Sequence, residues 1–241
     1  MARDRLWQQG FHSDRGVLTE LMHDAIGAGR TRGVVALLRR GVNPDVRDER
    51  DLTALHVAAH GNRLSMVRHL LDAGADLEAR NIEGETPLFI AAMGGSVAVA
   101  RSLLGNGADP SARRRDGAFP LYIAAGSLDS RLTRLFLKHG ADPAQRHARN
   151  RSTALHAAVA MGRRQNVVLL LRNGAKPRAR DWRGQTPLHW AADINRVELI
   201  DILVRSGSQV LAKDKLGRTA FDIARGAGFS EFNSALKAAV P

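Results

Sequence analysis

Apolar residues along this chain fall at helical spacing. Leu64, Val67, Leu70 and Leu71 return every three or four positions, which gathers them on one face of a helix with polar residues between. A shorter apolar block, such as Leu55-His-Val-Ala-Ala59, precedes each stretch of this kind, and a polar stretch holding Asp and Gly follows it. The pattern predicts pairs of short helices, the first about two turns long. The first helix of a pair should end near Gly95, Gly162, Asn62 or Asn195, residue types that tolerate the left-handed conformation of a helix end.

The block itself repeats. Leu55-His-Val-Ala-Ala59 returns as Leu88-Phe-Ile-Ala-Ala92, Leu121-Tyr-Ile-Ala-Ala125, Leu155-His-Ala-Ala-Val159 and Leu188-His-Trp-Ala-Ala192, with a weaker copy at Phe221-Asp-Ile-Ala-Arg225. The steps are 33, 33, 34, 33 and 33 residues. Gly41, Gly74, Gly107, Gly140, Gly174 and Gly207 run in phase with them, so the whole unit repeats. The longer step places one extra residue between Gly140 and Leu155, in a loop where insertion costs little.

Local chemistry agrees with this division. Thr86-Pro87 and Thr186-Pro187 read as helix starts, with Thr capping free N–H groups and Pro pre-shaped for the first turn. Thr53, Thr153 and Thr219 keep the cap, whereas Phe119-Pro120 keeps only the Pro. Between units, Asp181-Trp-Arg-Gly184 and Asp214-Lys-Leu-Gly217 suit tight turns and predict a projecting hairpin. Asp51 and Arg151 replace the turn Gly, so those tips are expected to be less regular. Gly126-Ser-Leu-Asp-Ser130 lacks the Gly of the helix–helix turn, so the geometry there is expected to depart from the other units. No unit can bury its apolar face alone, and the units must stack.

The segment Thr186-Pro-Leu-His-Trp-Ala-Ala192, with its recognisable copies at fixed period, resembles the ankyrin repeat, and the resemblance spans about residues 17–236. It implies an all-α solenoid of stacked helix-turn-helix units with projecting hairpin loops. The expected division is an extension over 1–16, an N-terminal cap over 17–47, full repeats over 48–80, 81–113, 114–147, 148–180 and 181–213, and a C-terminal cap over 214–241. The resemblance further implies a non-enzymatic protein-binding module. In it, the recurrent His23, His56, His156 and His189 bond neighbouring backbone. Partners meet a concave surface made by the hairpins and the first-helix ends, here His60, Met93, Ser127, Met161, Asp193 and Ile194.

Composition narrows the chemistry. The 241 residues carry 36 Lys+Arg against 24 Asp+Glu, a formal charge of +12, and no Cys, which excludes disulfides, thiolate metal sites and cysteine nucleophiles. No apolar run approaches the ~18 residues of a membrane span, and residues 1–16 do not read as a secretory signal, so a cytoplasmic or nuclear location is expected. His56 and His60 stand at zinc-hydrolase spacing, but without the general-base Glu or a third ligand. Gly27-Ala-Gly29-Arg-Thr-Arg-Gly33 follows a helix and reads as a turn rather than a phosphate loop. No catalytic residue, metal or cofactor is expected.

The cations point to the partner. Arg47, Arg80, Arg113, Arg180 and Lys213 occupy the last position of their units, and Arg146 stands at that place in the unit with the inserted residue. Arg50, Arg115, Arg149, Arg183 and Lys215 lie beside them, so the hairpin row reads as basic, most of all in its second half. With His60, Met93, Met161, Ile194 and Trp182, which falls in a hairpin tip, these are the expected partner-binding residues. Trp190 is expected in the core. The expected partner is a protein or peptide with an acidic segment. Nucleic-acid contact through the basic row, or blockade of one particular enzyme, stands as the alternative reading.

Overall fold

The computed structural model describes residues 15–239. Fourteen α-helices run through them in pairs. They are α1 (Arg15–Gly27) with α2 (Thr31–Arg39), α3 (Ala54–His60) with α4 (Leu64–Asp72), and α5 (Pro87–Met93) with α6 (Val97–Gly105). There follow α7 (Pro120–Gly126) with α8 (Ser130–Lys138), α9 (Ala154–Ala160) with α10 (Arg164–Arg172), α11 (Pro187–Asp193) with α12 (Ile200–Arg205), and α13 (Ala220–Gly226) with α14 (Ser230–Ala239). A 3-10 turn, Val197–Leu199, leads into α12. Of the expected extension, only Arg15 and Gly16 are described, and they open α1; residues 1–14 and 240–241 lie outside the described residues. No helix among the described residues is long and apolar enough to cross a membrane.

Each first helix packs on the first helix of the next unit, and the second helices form a parallel layer from α2 to α10. The Leu that opens each repeated block, at 55, 88, 121, 155 and 188, is wholly buried. Each such side chain contributes about 1.5–3 kcal/mol by leaving water. Ala58, Ala59, Ala91, Ala92, Ala124 and Ala125 fill the contact between first helices, where larger side chains would hold the units apart.

Where a Thr precedes a first helix, it caps that helix, whereas α7 starts at Phe119-Pro120 without a side-chain cap. Thr53, Thr153 and Thr186 form reciprocal caps with His56, His156 and His189 three residues on, and Thr219 does so with Asp222. The Nδ1 of His56 accepts the Thr53 N–H at 3.1 Å, which leaves the proton on Nε2, and Nε2 donates to the Glu85 carbonyl of the next unit at 3.0 Å. His156 and His189 bond Gln185 O and Arg218 O in the same way. Where it occurs, the recurrent histidine therefore ties its unit to the next, and Phe89 and Tyr122 take its place in the two units between. Burial pushes the His156 imidazole down to about 4 and holds His56 and His189 below the ordinary histidine value.

The helix–helix turns show where one unit differs. Asn62, Gly95, Gly162 and Asn195 adopt positive φ, and the next residue returns its N–H to a carbonyl five back, as Arg63 does to Ala58. After α7, Ser127 is extended instead, at φ −72° and ψ 152°. Ser127 N–H still bonds Ala124 O, and the carbonyls of Ala125 and Ser127 are met by Asn166 of α10, whose amide donates to them at 2.9 Å each and also reaches Ala124 O at 3.3 Å. The same repeat position holds Met66, Val99, Leu132 and Leu199 elsewhere, all buried. A polar residue has entered the core because the glycine turn is missing.

The tips at Asp51 and Arg151 were expected to be less regular; Asp51 closes on Asp48 O as the glycine tips do, whereas Arg151 closes one residue wider, on His147 O. Both residues take φ +57°, the left-handed conformation of Gly84, Gly117, Gly184 and Gly217, and bridge pairing forms beside them between Arg47 and Thr53 and between Arg146 and Thr153. The turn is kept by forcing an L residue into the conformation that glycine adopts freely.

Candidate partner-binding surface

Each hairpin is set by a side chain at its first position. Asp48, Asn81, Asp181 and Asp214 each accept two backbone N–H bonds from their own turn, for example Arg183 N and Gln185 N on Asp181 at 2.8 Å each. Neighbouring hairpins are then joined by backbone bonds: Arg115 N to Glu83 O and Lys215 N to Arg183 O at 2.9 Å, and Trp182 N to Asn150 O at 2.8 Å. The row is a continuous wall.

The cations at the last position of each unit lace this wall together. The Nη1 of Arg47, Arg80, Arg113, Arg146 and Arg180 donates to the carbonyl of residue 80, 113, 146, 180 and 213 respectively, at 2.6–2.8 Å. The same nitrogen reaches back to its own hairpin, as Arg180 does to Gly184 O at 2.9 Å. Lys213 ends the series by accepting at its carbonyl. Strict periodicity, read above as a mark of partner selection, thus has an internal cause. The acceptors are carbonyls, not carboxylates, so every guanidinium keeps its full charge.

The other expected cations stand free. Arg50, Arg115, Arg149 and Lys215 are exposed and their side chains make no hydrogen bond or ion pair; Arg183 lies 5.0 Å over the Trp182 ring. Arg114, by contrast, is neutralised by Asp116 and by Glu85 at 3.3 Å, and its guanidinium holds the Asp116 carboxyl well below the usual carboxylate range. The sign of the wall changes along its length. Acids outnumber bases in hairpins 47–53 and 80–86, while bases outnumber acids in 113–119, 146–153, 180–186 and 213–219. The second helices and their flanking turns carry a larger basic surplus than the hairpins, which the sequence reading had not weighed.

Apolar contacts lie alongside. Met93, Met161 and Ile194, at the ends of α5, α9 and α11, are 52%, 53% and 40% exposed, and Trp182 is 50% exposed at its tip. His60 is exposed at the end of α3. A cavity of about 540 Å³ is lined by Leu52, Val57, His60, Ile82, Ile90 and Met93. The sequence reading missed Ile82, although it occupies the tip position that Trp182 holds three units on. Trp190 is partly buried against the core, donates Nε1–H to Asp181 Oδ2 at 3.0 Å, and meets His156 edge-on at 5.1 Å. Both ring nitrogens of His56 are engaged, so it does not pair with His60 as a metal ligand. Gly29 takes φ +73° in the turn between α1 and α2, as the sequence reading placed it.

Comparison with known proteins adds independent findings. Family models described as ankyrin repeats in three copies match residues 21–114 and 99–181, and a single ankyrin repeat matches 183–215. Among solved structures, the ankyrin repeat domain of Bcl-3, described as a unique member of the IkappaB protein family, superposes with a TM-score of 0.81 at 28% identity, covering 90% of this chain and 97% of that one. The human ASB11 ankyrin repeat domain gives 0.79 at 28%, covering 91% and 97%. EF0377, an ankyrin repeat protein, gives 0.71 at 27%, covering 76% and 96%. No curated protein matches the chain.

Proposed function

The chain belongs to the ankyrin-repeat family, whose units are protein-interaction modules, and from that premise we propose that its hairpin wall holds an extended acidic segment of another protein, without catalysis. One observation carries the sign of the partner: the free tip cations Arg115, Arg149, Arg183 and Lys215 stand on a rigid wall in its basic half. Units repeat at about 10 Å, the spacing of packed helices, and an extended peptide advances ~3.3 Å per residue, so an acid at every third position matches one tip. The laced residues Arg47, Arg80, Arg113, Arg146 and Arg180 add to the field, as does Lys213. Met93, Met161, Trp182 and Ile194 supply adaptable apolar contact, with His60 and Arg50 at the acidic end. An inhibitor of one enzyme would use the same wall.

The test is fluorescence anisotropy with a labelled peptide of about five Glu-Ala-Ser triplets, an extended length of ~50 Å, against a Gln-for-Glu control. The acidic peptide is expected to bind and the control not. Changing Arg115, Arg149 and Arg183 together to Gln should weaken binding roughly tenfold or more, and raising salt should do the same. Unaltered binding by the triple variant would refute the assignment.

A further inference from the structure

We propose that the second-helix layer carries a separate, sequence-independent surface for the phosphate backbone of a nucleic acid, centred on Arg68, Arg101 and Arg134. These are the fifth residues of α4, α6 and α8, one repeat position in three successive units, and those helices pack in order. The three side chains therefore form a line advancing about 10 Å per unit. All three are exposed and none makes a hydrogen bond or an ion pair.

That freedom separates them from the other repeated cations. The hairpin arginines are laced to carbonyls of the next unit. Arg39, Lys138, Arg172 and Arg205 stand in the last turns of α2, α8, α10 and α12, where cations complement the helix dipole. Arg68, Arg101 and Arg134 are in mid-helix and have neither reason to be there. Lys138, Arg164 and Arg172 extend the basic area across α8 and α10, and the acids Asp72 of α4 and Asp201 of α12 bound it.

The chemistry of the face selects its occupant. No large exposed apolar side chain lies on α4, α6, α8 or α10, where the exposed ring is the His69 imidazole of α4, and Leu128 stands in the turn before α8. One imidazole makes no stacking row and nothing there can wedge into a bilayer, so contact would be mainly with charge. A line of cations spanning about 20 Å faces roughly twelve phosphates of a duplex, one per ~1.7 Å of axis, and gains by releasing their counterions. On an anionic bilayer the same three arginines would each strengthen binding only about fivefold, with no insertion to add. The surface shares no residue with the hairpin wall, so a protein and a nucleic acid could be held together.

Anisotropy of the full chain with a labelled random-sequence duplex, measured from low to moderate salt, tests this. The wild type is expected to bind, with log K falling against log salt by about 0.9 for each phosphate neutralised. Arg68→Gln, Arg101→Gln and Arg134→Gln combined should reduce the steepness of that slope by about 2.7 and weaken binding at least tenfold, with the melting temperature unchanged. Arg115→Gln, Arg149→Gln and Arg183→Gln combined should change it less than threefold. Failure of the wild type to bind at 100 mM salt, or equal losses from both triple variants, would overturn the proposal. So would tighter, arginine-dependent binding to phosphatidylserine vesicles than to the duplex.

Discussion

Replacing Arg113 by Lys separates the two roles that a repeated cation can have. Arg113 Nη1 donates to Arg146 O at 2.6 Å and to Gly117 O at 3.4 Å, so one planar group joins the third hairpin to the fourth. Lysine keeps the charge, but its ammonium ends one bond short of the place Nη1 reaches and does not hold both carbonyls. A bond from a charged donor contributes about 1.5–3 kcal/mol when shielded; Arg113 is exposed, and water replaces part of that, leaving about 1 kcal/mol. For a chain of this size such a loss lowers the melting temperature by roughly 2–4 °C. Thermal melts followed by circular dichroism, with Arg115→Lys as the control, provide the assay. Arg115 makes no bond with its side chain and should melt as the wild type does. Equal melting of Arg113→Lys and the wild type, or equal losses from both variants, would refute the carbonyl-lacing account. Affinity for the acidic peptide should stay within a few-fold in Arg113→Lys, because the charge survives.

Three further outcomes follow from the same contacts. Asn166→Leu removes the side-chain donor that meets Ala125 O and Ser127 O at the end of α7 and should destabilise by about 1–3 kcal/mol in urea unfolding, although the same position is apolar in other units. Arg151→Gly relieves a φ of +57° and should stabilise by about 0.5–1 kcal/mol, read as a higher melting temperature. His156 is neutral when folded, with its value pushed down to about 4 by burial, while the unfolded chain takes the proton near 6.5. Stability is therefore full above pH 6.5 and is lost as pH falls from 6.5 towards 4, by roughly 3 kcal/mol from this group. A ring nitrogen spectrum showing His156 protonated in the folded chain at pH 5.5 would contradict that.

The helix pairs and the capping threonines were legible in sequence because each depends on residues adjacent along the chain. Thr53 and His56 lie three positions apart, and their bond follows from one helical turn. The lacing of Arg113 to residue 146 was not legible. It depends on the distance between hairpins one unit apart, which spacing along the chain does not give, and a carbonyl acceptor leaves no trace in side-chain identity. Asn166 hid for the same reason: its acceptors lie about forty residues earlier, and only the extended Ser127 explains why a polar residue belongs there. The free tip cations and the exposed Met93, Met161 and Ile194 were named correctly as surface residues, since their places at helix ends follow from the repeat.

Periodicity alone does not distinguish a surface kept for a partner from one kept for the fold. In a stacked array every unit meets the same neighbour, so any side chain that serves the joint recurs with the period of the joint. The arginines at 47, 80, 113, 146 and 180 recur because each finds the next hairpin's carbonyl, and their recurrence is used up by that contact. A repeated charge points outward only when the joint leaves it idle. By that criterion Arg115, Arg149 and Lys215 on the wall, and Arg68, Arg101 and Arg134 on the second helices, are the positions where a lost charge should alter binding and spare stability. The laced arginines should do the reverse when the reach of Nη1 is lost and the charge kept.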